Sequence, residues 1–138
     1  NLTPQIQEGF NDGIWASLEA RVRNWAESSD TVYVVTGCVT KGSTTTHPDN
    51  DSKLITVPVA YFKAALSLAG GSYKACGLYL EHQNYPSSGN VLKNYSLSID
   101  ALEEKLGYDL FVNLPGVVGE QQAAAIEREN PASVSWWW

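Results

Sequence analysis

The sequence predicts an α+β domain, an antiparallel sheet with flanking helices, on three observations. Apolar residues recur at helical spacing near the start of the chain. Short β-branched and aromatic runs follow, two of them joined by a Gly-Gly turn, and two capped helical patterns come after them. Helices are therefore set apart from paired strands instead of alternating with them. At 138 residues and 43% hydrophobic content the chain is one domain's worth and can bury a core.

Phe10, Ile14, Trp15, Leu18, Val22 and Trp25 follow an i, i+4, i+8 pattern, so residues 8–28 read as one amphipathic helix ended by Ser28, Ser29 and Asp30. The run TVYVVT at 31–36, with Gly37 behind it, reads as a buried strand. Residues 41–53 are polar, aperiodic and rich in turn formers, which reads as a surface loop. In LITVPVAYFKAALSL, residues 54–68, Pro58 can either break a strand or open a helix; the first half reads as strand and the second half stays open. Gly70 and Gly71 then turn the chain into a strand over 72–82, giving a hairpin. Past a loop at 84–90, Ser98 caps a short helix that stops at Gly107, and a further helix over about 119–129 ends at Asn130 and Pro131. Trp136, Trp137 and Trp138 would form an aggregation-prone patch if exposed, so they are expected to pack back onto the domain.

Composition removes several classes. With 9 Lys and Arg against 15 Asp and Glu the formal net charge is −6, which excludes a globally basic nucleic-acid binder and leaves room only for a locally basic groove. No apolar run approaches the roughly 20 residues that cross a bilayer. The sequence contains no Met, so the chain is expected to be a processed or cut piece. Cys38 and Cys76 permit one disulfide, which would suit an exported protein, or two buried free thiols; neither has metal-site spacing.

The first helix carries the most suggestive polar set. On a wheel of 100° per residue Asn11 falls inside the apolar arc, where its amide must either pin a neighbouring loop or bind a hard cation through oxygen. Glu19 and Arg23 border that arc on the same side and are an i, i+4 pair: an ordinary surface ion pair, or a carboxylate and a guanidinium that hold a hydrated metal and a phosphate. His47 sits in the polar loop and His82 at a strand end, each without a visible partner, so both read as structural. No Ser has a nucleophile-elbow setting.

The segments NLTPQ (1–5), FNDGIWASLEARVR (10–23), VYVVTG (32–37), ITVPVAYFKAAL (55–66) and SIDALEEKLGYDLFVNLP (98–115) together resemble the DNA/RNA non-specific endonucleases of the ββα-metal, or His-Me finger, type. Stretches 38–53 and 116–138 carry none of the resemblance. It implies that Asn11, before Gly-x-Trp, is the direct protein ligand of a divalent ion, Mg²⁺ or another such as Mn²⁺. Glu19, eight residues on, would bond the ion's waters, and Arg23, four further, would contact phosphate. The implied activity is metal-dependent, sugar-non-specific hydrolysis of phosphodiester bonds in DNA and RNA substrates. The family's general base is the His of an Asp-Arg-Gly-His motif upstream of the PQ segment, and this sequence begins after that point. The expectation is therefore a C-terminal portion of one nuclease domain over 1–138, the N-terminal part of the fold missing, inactive alone and completed by the missing segment. A secreted or periplasmic location goes with it. The alternative is a catalytically dead nuclease-like binding module; an intact Asp-Arg-Gly-His upstream in the parent would sink it.

Overall fold

The computed structural model describes residues 3–87 and 91–138. The NLTPQ segment's first two residues and the end of the 84–90 loop lie outside them. The sheet has the strand order β1-β4-β5-β6 and is antiparallel throughout: β1 Thr31–Val39, β4 Ala60–Ala69, β5 Ser72–Glu81 and β6 Ser96–Leu97. A separate ribbon pairs β2, Thr46–Pro48, with β3, Leu54–Thr56. Among the described residues four α-helices accompany them: α1 Ala16–Glu27, α2 Ile99–Leu106, α3 Leu114–Val118 and α4 Glu120–Arg128.

β4 organises the core because it has a strand on each side and a packed layer on each face. Residues Ala60–Leu66 are all buried, which is why the run shows no polar alternation. Its two faces feed different clusters. Tyr61 and Ala65, with Cys76, Leu78 and Leu80 of β5, meet Phe10, Ile14, Trp15, Leu18 and Trp25 and the buried Trp137. Phe62, Ala64 and Leu66, with Ala75, meet Ile99, Leu102, Leu110, Leu114, Ala123 and Ile126. Gly77 lets α2 approach, since a Cβ there would lie 3.0 Å from the Leu97 carbonyl oxygen and 3.2 Å from Leu102 Cδ2.

Local signals account for most boundaries. Gly70 and Gly71, at φ 56° and 81°, make the tight turn between β4 and β5, so both halves of the Pro58-containing run are settled as strand, β3 before the proline and β4 after it. Ser98 Oγ accepts the Ala101 N–H at 3.2 Å and Gly107 closes α2 at φ 80°. The terminal tryptophans tuck in: Trp25 Nε1 donates to the Trp137 carbonyl at 3.0 Å, and Trp138 Nε1 donates to the Pro131 carbonyl at 2.9 Å.

Three expectations are corrected. The helix over 8–28 is regular only from Ala16; Gln7–Trp15 is an irregular helical segment broken at Glu8, Gly9 (φ 75°) and Gly13 (φ −109°, ψ −108°). The predicted buried strand at 31–36 is a strand, but it is the sheet's edge, with Tyr33 50% exposed and Val34 40% exposed, because no element covers its outer side among the described residues. Part of the predicted loop at 41–53 is the β2–β3 ribbon, whose turn is held by Asp49 Oδ1 accepting from the Asp51 and Lys53 N–H groups. The cysteines are free. Cys38 pairs with Tyr61 and Cys76 with Ala65, four residues apart along β4, or roughly 13 Å at strand rise, too far for a bridge.

Candidate active site

The break at Gly13 changes what Asn11 is. A wheel drawn through residues 8–28 carries its phase across a kink, so Asn11 does not point from α1 into the core as that wheel had it. It is half-buried on the irregular segment, between the buried Phe10 and the exposed Asp12. Its backbone N–H donates to the Ile6 carbonyl at 2.9 Å, and its Nδ2 donates to Gln7 Oε1 at 3.4 Å. Gln7 Nε2 in turn donates to Asp12 Oδ2 at 2.6 Å. The side-chain oxygen of Asn11 takes no hydrogen bond from the described residues, which leaves a hard oxygen donor available.

Phe10 anchors this segment. Its ring is fully buried and stacks near Trp15 at 5.9 Å, with Tyr61, His82 and Tyr85 at centroid distances of 5.2, 5.0 and 6.2 Å. Gly9, one residue earlier, adopts a left-handed φ and lies against the Asn84 side chain and the Tyr85 carbonyl.

Glu19 and Arg23 are one turn apart on α1 and both exposed. The structure gathers only Glu19 with other polar groups. It borders a cavity of about 610 Å³ with Gln5, Trp15, Thr36, Tyr61 and Lys63; Arg23 and Asn11 do not line it. Lys63 is the member that sequence reasoning missed. It is only 8% exposed, donates from Nζ to Thr36 Oγ1 at 2.9 Å and lies 4.6 Å from the Trp15 ring centroid. Burial lowers its pKa, and the negative charge of Glu19 opposes that shift. The signal was present in the sequence: a single cation inside the apolar run AYFKAAL. Tyr61 also lines the cavity, its hydroxyl donating to the Pro4 carbonyl at 2.9 Å with Thr3 Oγ1 3.0 Å away.

The two histidines part company. His47 is exposed, with Nδ1 2.8 Å from the Pro48 carbonyl. His82, read from sequence as a partnerless strand end, is bonded through both ring nitrogens and half-buried.

No group of three or more His, Cys, Asp or Glu side chains converges to hold an ion among the described residues. The Asn11 amide oxygen is a hard donor of the kind that Mg²⁺ and similar divalent cations take.

With this geometry in place, similarity to known proteins decides the family. Residues 1–116 match the DNA/RNA non-specific endonucleases. The chain belongs to that family. It is 28% identical over 127 residues to a nuclease of Syncephalastrum racemosum, covering 83% of this chain and 40% of that protein. It is likewise 28% identical over 120 residues to nuclease C1 of Cunninghamella echinulata var. echinulata, covering 83% of this chain and 48% of that enzyme. The chain therefore spans less than half the length of either of these nucleases. Its fold matches a chain of the crystal structure of the EndoG/EndoGI complex, which concerns the mechanism of EndoG inhibition, with a TM-score of 0.66 at 22% identity over 80% of this chain and 48% of that one. The α+β, ββα-metal architecture is thereby established for this non-specific endonuclease family member.

Proposed function

We propose that this chain is the metal-ligand portion of a divalent-cation-dependent endonuclease that hydrolyses the phosphodiester bonds of DNA and RNA. The observation that carries the reading is the half-buried Asn11 amide, set on its own braced segment with its oxygen unpaired among the described residues, inside the region that matches the nuclease family. Asn11 Oδ1 would be the direct protein ligand of Mg²⁺ or Mn²⁺. The chemistry such an ion would supply there is positive charge against the negative charge that builds up on the phosphate during hydrolysis.

The chain's own residues do the rest by position. Glu19, exposed on α1, would accept hydrogen bonds from water held by the ion. Arg23, exposed one turn along α1, presents a planar fork of donors to a phosphate's two free oxygens. Contacts of this kind read the sugar-phosphate chain and not base edges, which accounts for a lack of sequence preference. The attacking water also needs a base, a part that His82, with both ring nitrogens already hydrogen-bonded to the protein, is not free to play.

The test uses the parent protein. Asn11→Ala is expected to lower Mg²⁺-dependent cleavage of supercoiled plasmid and of structured RNA by at least about a hundredfold, while circular dichroism stays unchanged. Retained cleavage removes Asn11 from the site; a lowered melting temperature with normal cleavage assigns it a structural part only.

A further inference from the structure

The segment that carries Asn11 is tied to the sheet through one side chain 76 residues away. Ile6, which opens the irregular segment, donates its N–H to His82 Nε2 at 2.8 Å. The other ring nitrogen, Nδ1, lies 2.8 Å from the Pro58 carbonyl oxygen. A backbone N–H can only donate and a carbonyl can only accept, so Nε2 holds the lone pair and Nδ1 the hydrogen: the ring is neutral and in a single tautomer. Ile6 then passes the constraint on, because its carbonyl accepts the N–H of Asn11 at 2.9 Å. Three hydrogen bonds in series, Pro58 to His82 to Ile6 to Asn11, run from the approach to β4 to the main chain of the ligand residue.

The ring itself has little freedom. It meets Phe10 edge-on at 5.0 Å and Tyr61 at 5.2 Å, and its own backbone N–H donates to the Val59 carbonyl at 2.8 Å. The far side of the segment is braced by the close approach of Gly9 to Asn84. Gly9 and Gly13 on either side of Asn11 would otherwise leave this stretch free to rearrange, since glycine resists a single conformation more than any other residue.

We propose that His82 is a positioning residue of the nuclease site: through Ile6 it fixes the main chain at Asn11, and it does so only because its two ring nitrogens play opposite hydrogen-bonding parts. The proposal rests on Asn11 being the ion's ligand. His82 itself touches neither ion nor substrate.

The test again uses the parent protein, with two variants. His82→Ala removes both bonds; His82→Gln keeps one donor and one acceptor on an amide of similar reach. Amide hydrogen exchange at Ile6 and Asn11, and Mn²⁺ affinity from paramagnetic broadening of the Asn11 side-chain amide, are read by nuclear magnetic resonance. Amides of Ala65 and Ala75 in the central strands report whether each variant is folded. In His82→Ala, exchange at Asn11 is expected to speed up and Mn²⁺ affinity to fall, each by about tenfold or more, with Ala65 and Ala75 still protected; His82→Gln recovers most of both. Unchanged exchange and affinity in His82→Ala overturns the proposal, and so does an equal loss in His82→Gln, which would make the ring a packing element. If the wild type binds no Mn²⁺ at Asn11, the ligand reading falls and the metal-positioning role with it. The exchange data then show separately whether the tether from His82 to Asn11 exists.

Discussion

The two faces of β4 are made from adjacent residues of one strand and solve different problems. On one face Phe62, Ala64 and Leu66 meet an aliphatic layer from α2, α3 and α4. On the other, Tyr61, Lys63, Ala65 and Ser67 meet rings, kinks and buried polar atoms: Lys63 bonds Thr36, Ser67 Oγ lies 2.8 Å from Ser29 Oγ, and Tyr61 reaches Pro4. Both buried polar side chains of the strand lie on the face that also holds Phe10 and α1. Regular packing stabilises one side; the other also holds an irregular backbone in place, and the candidate site sits there.

The largest expected effects come from breaking each face once. Phe10→Ala should cost about 3–5 kcal/mol and Leu102→Ala about 2–5 kcal/mol, since both side chains are fully buried. Stability alone does not separate the faces. Mn²⁺ binding measured on the folded variants does: Phe10→Ala is expected to weaken it, because the ring anchors the residue next to Asn11, and Leu102→Ala to leave it unchanged. Equal weakening in both would mean that the faces are mechanically one.

A finer comparison uses two glycines. Gly9 and Gly107 both have left-handed φ, 75° and 80°, so an alanine at either is strained by about 1–2 kcal/mol. At Gly107 a Cβ meets nothing within 4 Å, whereas at Gly9 it would overlap the Asn84 side chain. Gly107→Ala should therefore cost the conformational strain alone, and Gly9→Ala more, with the Asn84 amide resonance displaced. Equal losses in urea unfolding would show that Asn84 moves aside freely and does not brace the segment.

What could be read from the sequence divides along the same line. The caps at Ser98 and Gly107 on the α2 face, like the Gly70-Gly71 hairpin turn, are local chemistry, and the structure repeats them residue for residue. On the site face the apolar positions Phe10, Ile14, Trp15, Leu18 and Trp25 are indeed buried, yet the single helix drawn through them is not there. A spacing argument assumes one unbroken phase, and Gly9 and Gly13 spend their backbone freedom in breaking it. The partners of His82 and Lys63 are 76 and 27 residues away in sequence, so no local pattern reveals them. β1 is the reverse case. Its β-branched run identifies a strand correctly, while burial depends on a neighbour that lies outside any strand's own sequence.

The smallest effect belongs to the α2 face and tests whether it is free of electrostatic cost. Glu103 and Glu127 both have pKa values raised above the ordinary 4.5, through burial first and then through neighbouring carboxylates, Asp109 and Asp100 beside Glu103, and Glu103, Asp100, Asp109 and Glu120 around Glu127. Glu103 is partly compensated, since its Oε1 accepts the Leu110 N–H at 2.7 Å. Glu127 has no such compensation in its balance. A raised folded-state pKa means that the native protein binds more protons than the unfolded chain in the window just above 4.5. The stabilisation that goes with it is fully present below that value and is lost as pH rises through the folded pKa. Glu127→Gln removes the charge and with it the loss. The variant is expected to exceed the wild type by a few tenths of a kcal/mol at pH 7, solvent screening keeping the effect small, and the gap should close as pH falls toward 4. Thermal unfolding of both proteins across that range checks it. A gap that widens on acidification would mean that Glu127 is held by a favourable partner, and that the aliphatic face carries a charge interaction of its own.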